Sequence, residues 1–144
     1  MTNKSFKRFQ FAKLIRNKAP EIMRKKGIIV HDRVMDREEF EEKLKEKLLE
    51  EAREVQNAHS STEITEELAD MLEVIHSLAE CHGISMDQIE EKRLKKAEIN
   101  GGFDSRIYTH FVDIEEKNPS IEYFQARKTE YPKIETESEP TCLF

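Results

Sequence analysis

Two long stretches of the chain carry apolar residues at helical spacing and are separated only by a short polar turn. In residues 37–57, and again in about 63–82, the apolar positions fall on one side of a helix at about 100° per residue. The polar residues 59–62 leave room for a tight connection. Helices joined in this way pack as antiparallel neighbours, so the chain is predicted to form an antiparallel helical bundle.

Four acidic residues interrupt these two apolar faces. Glu51 and Glu54 lie on the first helix, and Glu67 and Asp70 on the second, each pair at i,i+3 spacing. Helical positions put Glu51 and Glu67 inside the apolar arcs, and Glu54 and Asp70 at their borders. Acids on a buried face are costly unless a positive group meets them. Because antiparallel packing brings the end of the first helix to the start of the second, the four acids are predicted to share one site.

A divalent metal is the simplest positive partner for these four acids. Carboxylates with no histidine or cysteine nearby form an all-oxygen site, which suits Mg²⁺, with Mn²⁺ as the alternative, and disfavours zinc. Mg²⁺ in proteins commonly binds the phosphates of a substrate directly. The predicted site therefore indicates hydrolysis of a phosphate ester or anhydride. The adjacent Glu50 is a candidate to accept the proton of the attacking water. The competing interpretation is a helical binding or assembly module with solvated acids and no metal affinity.

Basic residues flank the acidic stretches and are candidates to hold phosphate groups. They are Lys13, Arg16 and Lys18 near the start of the chain, and Lys92, Arg93, Lys95 and Lys96 on a later helix. A basic first segment is also compatible with a nucleic-acid site. The formal net charge of −6 argues against broad nucleic-acid binding.

Local signals predict the remaining elements. Ala19-Pro20 begins a short helix that ends at Gly27, and the β-branched residues 28–34 form either a short strand or an extended connector. Capping-box pairs begin two helices, and an Asn-Pro pair begins another. These are Asp36 with Glu39 for the first long helix, Ser85 with Gln88 for a helix to about Asn100, and Asn118-Pro119 for a helix to about Lys128.

The composition favours a thin bundle with a large surface, since charged residues make up 38% of the chain and hydrophobic ones 37%. Thin bundles often complete their core by oligomerising. No apolar run is long enough to span a membrane, and no signal-peptide pattern is present. The two distant cysteines, Cys81 and Cys142, exclude a disulfide framework. These features predict a cytoplasmic protein.

The sequences on either side of the acidic motif narrow the class of proteins that the chain resembles. Glu50-Glu51-x-x-Glu54 is followed after twelve residues by Glu67-x-x-Asp70. This pattern resembles the signature of the MazG-like, all-α nucleoside triphosphate pyrophosphatases. Residues 13–21 are similar to the Lys-Leu-Val-Arg-Asp-Lys-Ile-Pro-Glu opening of a house-cleaning subgroup that is phosphoribosyl-ATP pyrophosphohydrolase-like. Residues 67–75 and 95–103 fit the same subgroup, so the resemblance covers about residues 11–107.

The resemblance implies an all-α MazG-like bundle with a short extended N-terminal connector, completed as a homodimer or homotetramer. We expect this domain in residues 1–108, followed by an acidic, proline-containing extension in 109–144. The implied reaction is Mg²⁺-dependent cleavage of a nucleoside triphosphate to the monophosphate and pyrophosphate, as house-cleaning of noncanonical nucleotides. The resemblance implies four metal ligands, Glu51, Glu54, Glu67 and Asp70, and places Arg16, Lys18 and Lys96 near the substrate. Together with the candidates taken from the residues themselves, the predicted catalytic acids are Glu50, Glu51 and Glu54. The predicted phosphate ligands are Lys13, Arg16, Lys18, Arg93 and Lys96.

Two positions depart from the subgroup pattern. Asn17 stands where the subgroup often has Asp, and Ala19 where it has a larger aliphatic residue. Neither belongs to the predicted metal ligands, although Asn17 alters the network expected around the substrate. A phosphoribosyl-ATP pyrophosphohydrolase of histidine synthesis remains the alternative enzyme.

Overall fold

Five helices follow one another along residues 5–135, which are the residues that the computed structural model describes. They are α1 (Ala19–Lys25), α2 (Arg37–Asn57), α3 (Ser61–Cys81), α4 (Met86–Asn100) and α5 (Ile121–Gln125). No strand occurs in this part of the chain, so the predicted all-α class is confirmed. Residues 28–34 are an extended connector rather than a strand. Cys142 and the rest of residues 136–144 lie outside the described range.

Helices α2 and α3 pack as antiparallel neighbours, as predicted. At one end of the pair, the Arg37 guanidinium donates a hydrogen bond of 2.6 Å to the Cys81 carbonyl. Beside it, His82 Nε2 lies 3.2 Å from a Glu41 carboxylate oxygen. The first turn of α2 therefore meets the last turn of α3, and the acidic ends of both helices come together at the opposite end.

Side-chain caps determine where the two long helices begin. The Asp36 side chain accepts a hydrogen bond from the Glu39 backbone N–H at 2.9 Å. The Glu39 carboxylate binds Arg33 instead of returning to the cap, so only half of the predicted capping box forms. Helix α3 begins at Ser61, two residues before its predicted start, because Ser60 caps it by accepting from the Glu63 N–H.

Helix α4 begins and ends as the sequence predicts. Ser85 and Gln88 form a complete capping box. Gly101 follows the last helical residue with φ of 79°, a conformation that L residues rarely adopt. The apolar side chains Leu94 and Ile99 are exposed on this helix, and the extensive helix–helix contact within residues 5–135 is that of α2 with α3.

The hydrophobic core is small. Among the described residues, the buried apolar side chains are Leu44, Val74 and Ala79, all on α2 and α3. This agrees with the thin bundle that the composition favours. None of the helices within residues 5–135 combines the length and apolar character needed to cross a membrane.

Among the described residues, those after Gly101 form a compact unit of their own. Its described part holds α5, which is shorter than predicted and ends at Gln125. Tyr123, Phe124 and Tyr131 form an aromatic cluster with ring centroids 4.9–6.0 Å apart. The Arg127 guanidinium stacks 3.9 Å from the Tyr123 centroid, so this unit has its own aromatic packing.

Candidate metal centre

Three of the four predicted metal ligands meet where the end of α2 lies against the start of α3. One carboxylate oxygen from each of Glu51, Glu67 and Asp70 lies within 4.8 Å of the other two. Glu54 is exposed and outside this group. The helical positions anticipated the difference for α2, since Glu51 falls inside the apolar arc and Glu54 on its border.

Glu51 is the most buried acid of the site. Its residue is only 6% exposed, although it carries a carboxylate on a helix of a small bundle. Lys47, one turn earlier on α2, places its Nζ 2.7 Å from Glu51 Oε1 and 3.4 Å from Glu50 Oε1. A buried carboxylate needs such a partner, because an unpaired charge away from water is strongly unfavourable.

The sequence interpretation did not include Lys47. The signal that would have found it is its position on the same helical face, one turn before Glu51. Burial opposes the charged form of Lys47, but its contacts with Glu51 and Glu50 outweigh this effect and raise the pKa of the lysine. Lys47 therefore remains an ammonium group inside the acidic cluster.

Glu67 has the electrostatic environment expected of one member of a crowded acid cluster. Partial burial, followed by repulsion from Glu51, Glu54 and Asp70, raises the pKa of its carboxyl group. Glu54 thus acts on Glu67 through its charge even though it lies outside the closest group. A cation at this point would relieve the repulsion that raises the pKa.

The segment before α1 places two cations on these acids. Lys13 Nζ lies 2.6 Å from Glu50 Oε1, and Arg16 donates a hydrogen bond of 2.5 Å to Asp70 Oδ1. The hydrogen bond from Lys13, opposed by partial burial and supported by Lys47, lowers the pKa of Glu50. The structure therefore brings two of the predicted phosphate ligands to the acidic site.

The other predicted phosphate ligands lack such contacts within residues 5–135. Lys18 is exposed, and Arg93 forms a two-bond ion pair with Glu90 on its own helix. Lys96 lies with Arg93 and Ile89 around an open depression on α4. No ion pair joins Lys18, Arg93 or Lys96 to the acidic cluster in the part of the chain that the structure describes.

The donor set fits a hard divalent cation. All three converging ligand atoms are carboxylate oxygens, and no histidine or cysteine belongs to the group formed by the described residues. Oxygen ligands of this kind suit Mg²⁺ or Mn²⁺ better than zinc. The burial of Glu51 and the raised pKa of Glu67 both indicate that a positive charge at this point would stabilise the carboxylates.

Comparison with known families gives an independent result. A family model described as the MazG-like family matches residues 34–112, which include α2, α3, α4 and all of the acidic motif. Searches of curated proteins and of solved structures found no significant match. Because the family match covers more than half of the 144 residues, the chain belongs to the MazG-like family.

Proposed function

We propose that this protein is a Mg²⁺-dependent nucleoside triphosphate pyrophosphatase that removes noncanonical nucleotides in the cytoplasm. The reaction is hydrolysis of the α–β phosphoanhydride to a nucleoside monophosphate and pyrophosphate. The observation that carries the proposal is the convergence of carboxylate oxygens from Glu51, Glu67 and Asp70 within 4.8 Å. The MazG-like family, whose members are related to nucleotide pyrophosphohydrolases that use a divalent metal, supports it.

Glu51, Glu67 and Asp70 would hold the metal, with Glu54 as a fourth ligand from the adjacent turn of α2. When bound, Mg²⁺ would neutralise phosphate oxygens and make the attacking water more acidic. The proposed ligands lie on two packed helices, which supports a rigid arrangement of their carboxylates.

Lys13 and Arg16 are proposed to bind the phosphate chain. Both already lie at the acidic site through their contacts with Glu50 and Asp70. A bound triphosphate offers these cations stronger acceptors than single carboxylates, because phosphate carries more charge and more oxygens. Lys18 and Lys96 are proposed to contact the substrate as well, on the basis of the family resemblance, and Arg93 is proposed as a further basic residue of α4.

Glu50 is proposed to accept the proton of the attacking water. Its two lysine contacts keep it ionised, and the low pKa that results makes it a weak base. Transfer of Lys13 from Glu50 to a phosphate oxygen would raise the basicity of Glu50 when substrate is bound. This arrangement links proton acceptance to substrate binding.

The test is product analysis for a panel of nucleoside triphosphates and phosphoribosyl-ATP with Mg²⁺. The proposal predicts a monophosphate and pyrophosphate from one or more nucleoside triphosphates. Release of inorganic phosphate with a diphosphate, or no turnover of any substrate, would contradict it. Turnover of phosphoribosyl-ATP alone would replace it with the enzyme of histidine synthesis.

A matched pair of variants ties the activity to the site. Asp70→Asn should abolish hydrolysis while leaving the helical circular dichroism spectrum unchanged, because the amide keeps the shape of the side chain but removes its charge. Asp87→Asn makes the same change on the exposed first turn of α4 and should retain activity. Equal activity of both variants would remove Asp70 from the proposed site.

A further inference from the structure

Lys47 differs from the other lysines that pair with acids on α2. Its side chain is 26% exposed, against 36% for Lys43 and 58% for Lys45, and its partner Glu51 has a side chain only 8% exposed, against 64% for Glu46 and 27% for Glu41. A lysine four residues before a glutamate is the less favourable order for a pair on a helix surface. The Lys47–Glu51 contact is therefore better explained by the need to neutralise a buried carboxylate than by support of the helix.

The Glu51 carboxylate is a partner for two different cations: the Lys47 ammonium group and the proposed divalent metal ion. In this structure, Lys47 supplies positive charge to the buried Glu51. A divalent ion held by Glu51, Glu67 and Asp70 would lie close to the Lys47 ammonium, where limited solvent screens their repulsion poorly. The lysine and the metal ion cannot both bind Glu51 without a cost in free energy.

The structure offers Lys47 a second partner. Its Nζ already lies 3.4 Å from Glu50 Oε1, and the flexible four-carbon stem of lysine permits a small shift from one carboxylate to the other. Glu50 is half-buried next to Glu51 and is not one of the three converging ligands. Movement toward Glu50 would release Glu51 for the metal without leaving the ammonium unpaired.

We propose that Lys47 is a built-in counter-ion that occupies Glu51 in place of the divalent metal and thereby sets the metal affinity of the site. This inference rests on the proposed function, because it requires a metal at Glu51, Glu67 and Asp70. Lys47 is a positioning residue here, since it acts through Glu51 and need not touch the substrate.

The test compares Lys47→Met with the wild-type protein by isothermal titration with Mn²⁺ and by thermal unfolding in EDTA. Removal of the competing charge should tighten Mn²⁺ binding by roughly tenfold, since a charge at 4–6 Å commonly shifts an ionisation equilibrium by a unit or more. The unfolding midpoint in EDTA should fall, and saturating Mn²⁺ should restore more of it than in the wild type.

Lys45→Met is the matched control. It removes the same charge from another i,i+4 pair on α2, the one with Glu41, which lies outside the converging ligands. Its Mn²⁺ affinity should stay within about twofold of the wild type, as screened surface charges have small effects. Lys47→Gln provides a second variant that keeps a hydrogen-bond donor for Glu51, so it tests the charge even if Lys47→Met does not fold.

The outcomes separate this inference from the proposed function. Mn²⁺ binding by the wild type together with unchanged or weaker binding by Lys47→Gln would overturn the role of Lys47 and leave the metal site standing. Equal tightening in Lys47→Gln and Lys45→Met would reduce the effect to general charge and also overturn it. Absence of Mn²⁺ binding by the wild type, with and without a non-hydrolysable triphosphate, would overturn the metal site and the inference together.

Discussion

Glu51 combines burial with a formal charge, two properties that rarely occur together in a small protein. It is 6% exposed, as a core residue would be, yet it bears a charge. A carboxylate in this position weakens a bundle whose described apolar core is already small, so its presence is best explained by a task that needs a buried negative oxygen. Binding a divalent cation is such a task, and Glu67 and Asp70 stand close enough to share it.

Glu67 should make the stability of the metal-free protein depend on pH. Its pKa is raised above 4.5, so the folded protein binds this proton more tightly than the unfolded chain does. The free energy of unfolding should therefore fall as the pH rises from 4.5 through the raised pKa. Glu67→Gln has no carboxyl group to titrate and should not show this fall in stability. In EDTA, its thermal midpoint should exceed that of the wild type by an amount that grows as the pH rises through this range.

Glu73→Gln is the control for this prediction. Glu73 lies on the same helix, is exposed and is outside the converging ligands, so its substitution should leave the pH profile of the wild type unchanged. Excess Mg²⁺ should reverse the order of wild type and Glu67→Gln, because only the wild type keeps the full ligand set. Parallel stability profiles for wild type and Glu67→Gln in EDTA would contradict the electrostatic account of Glu67.

At the scale of single residues, helical periodicity anticipated the buried acid but not its partner. Glu51 was predicted to face inward, and it does. On a helical wheel of α2 with Phe40 as zero, Lys47 falls at roughly −20°, between Glu51 at roughly 20° and Glu54 at roughly −40°. Lysine is usually a surface residue, so the position of Lys47 one turn before Glu51 indicates a partner only once Glu51 is known to be buried.

Packing of α2 on α3 depends on few side chains. Leu44 is 3% exposed and belongs to the small described core, so Leu44→Ala should lower the free energy of unfolding by about 2–4 kcal/mol. Urea unfolding followed by far-ultraviolet circular dichroism measures this change. The same substitution at Leu94, which is 53% exposed on α4, should cost less than about 1 kcal/mol.

Comparison of the two leucine substitutions separates the loss of a core contact from the general effect of replacing leucine by alanine in a helix. Both replace leucine by alanine within a helix, so differences in helix propensity largely cancel. A similar loss in both variants would mean that Leu94 is covered in solution or that the α2–α3 contact does not dominate stability. A small loss in Leu44→Ala would contradict the packing of α2 on α3 directly.

At the scale of helices, the sequence predicted the bounds of α2 and α4, and the early start of α3 has an identifiable cause. Helix α2 has its predicted bounds because Asp36 caps it, and α4 has a full capping box. Helix α3 starts early because Ser60 captures the Glu63 N–H before the apolar pattern begins. The half-formed box at α2 depends on Arg33, a residue outside the helix, which helical periodicity does not take into account.

At the scale of the whole molecule, part of the apolar face of α3 is exposed within residues 5–135. On a helical wheel of α3 with Ile64 as zero, the apolar residues span an arc from about −80° to 80°. Val74 on one side of this arc is buried, whereas Leu68 and Leu72 on the other side are 47% and 53% exposed. A single α2 helix therefore covers only part of the apolar surface that the sequence provides. The small core agrees with the thin bundle that the composition predicts.

The uncovered side of α3 leads to a prediction about assembly. We expect the protein to form a homodimer or homotetramer in which a second copy covers Leu68 and Leu72, because burial of exposed leucines is favourable in water. Sedimentation velocity over a range of concentrations should show the assembly for the wild type. Leu72→Glu should shift it toward the monomer, since the interface would then have to desolvate a charge.

His76→Glu controls for the added charge in this experiment. His76 is exposed on α3 at roughly 120° on the same wheel, beyond the apolar arc, so this substitution should leave the oligomeric state unchanged. Equal dissociation of both variants would indicate general charge repulsion rather than loss of a leucine contact. A wild-type protein that sediments as a monomer at every concentration would contradict the assembly itself, and the exposed leucines of α3 would then need another partner.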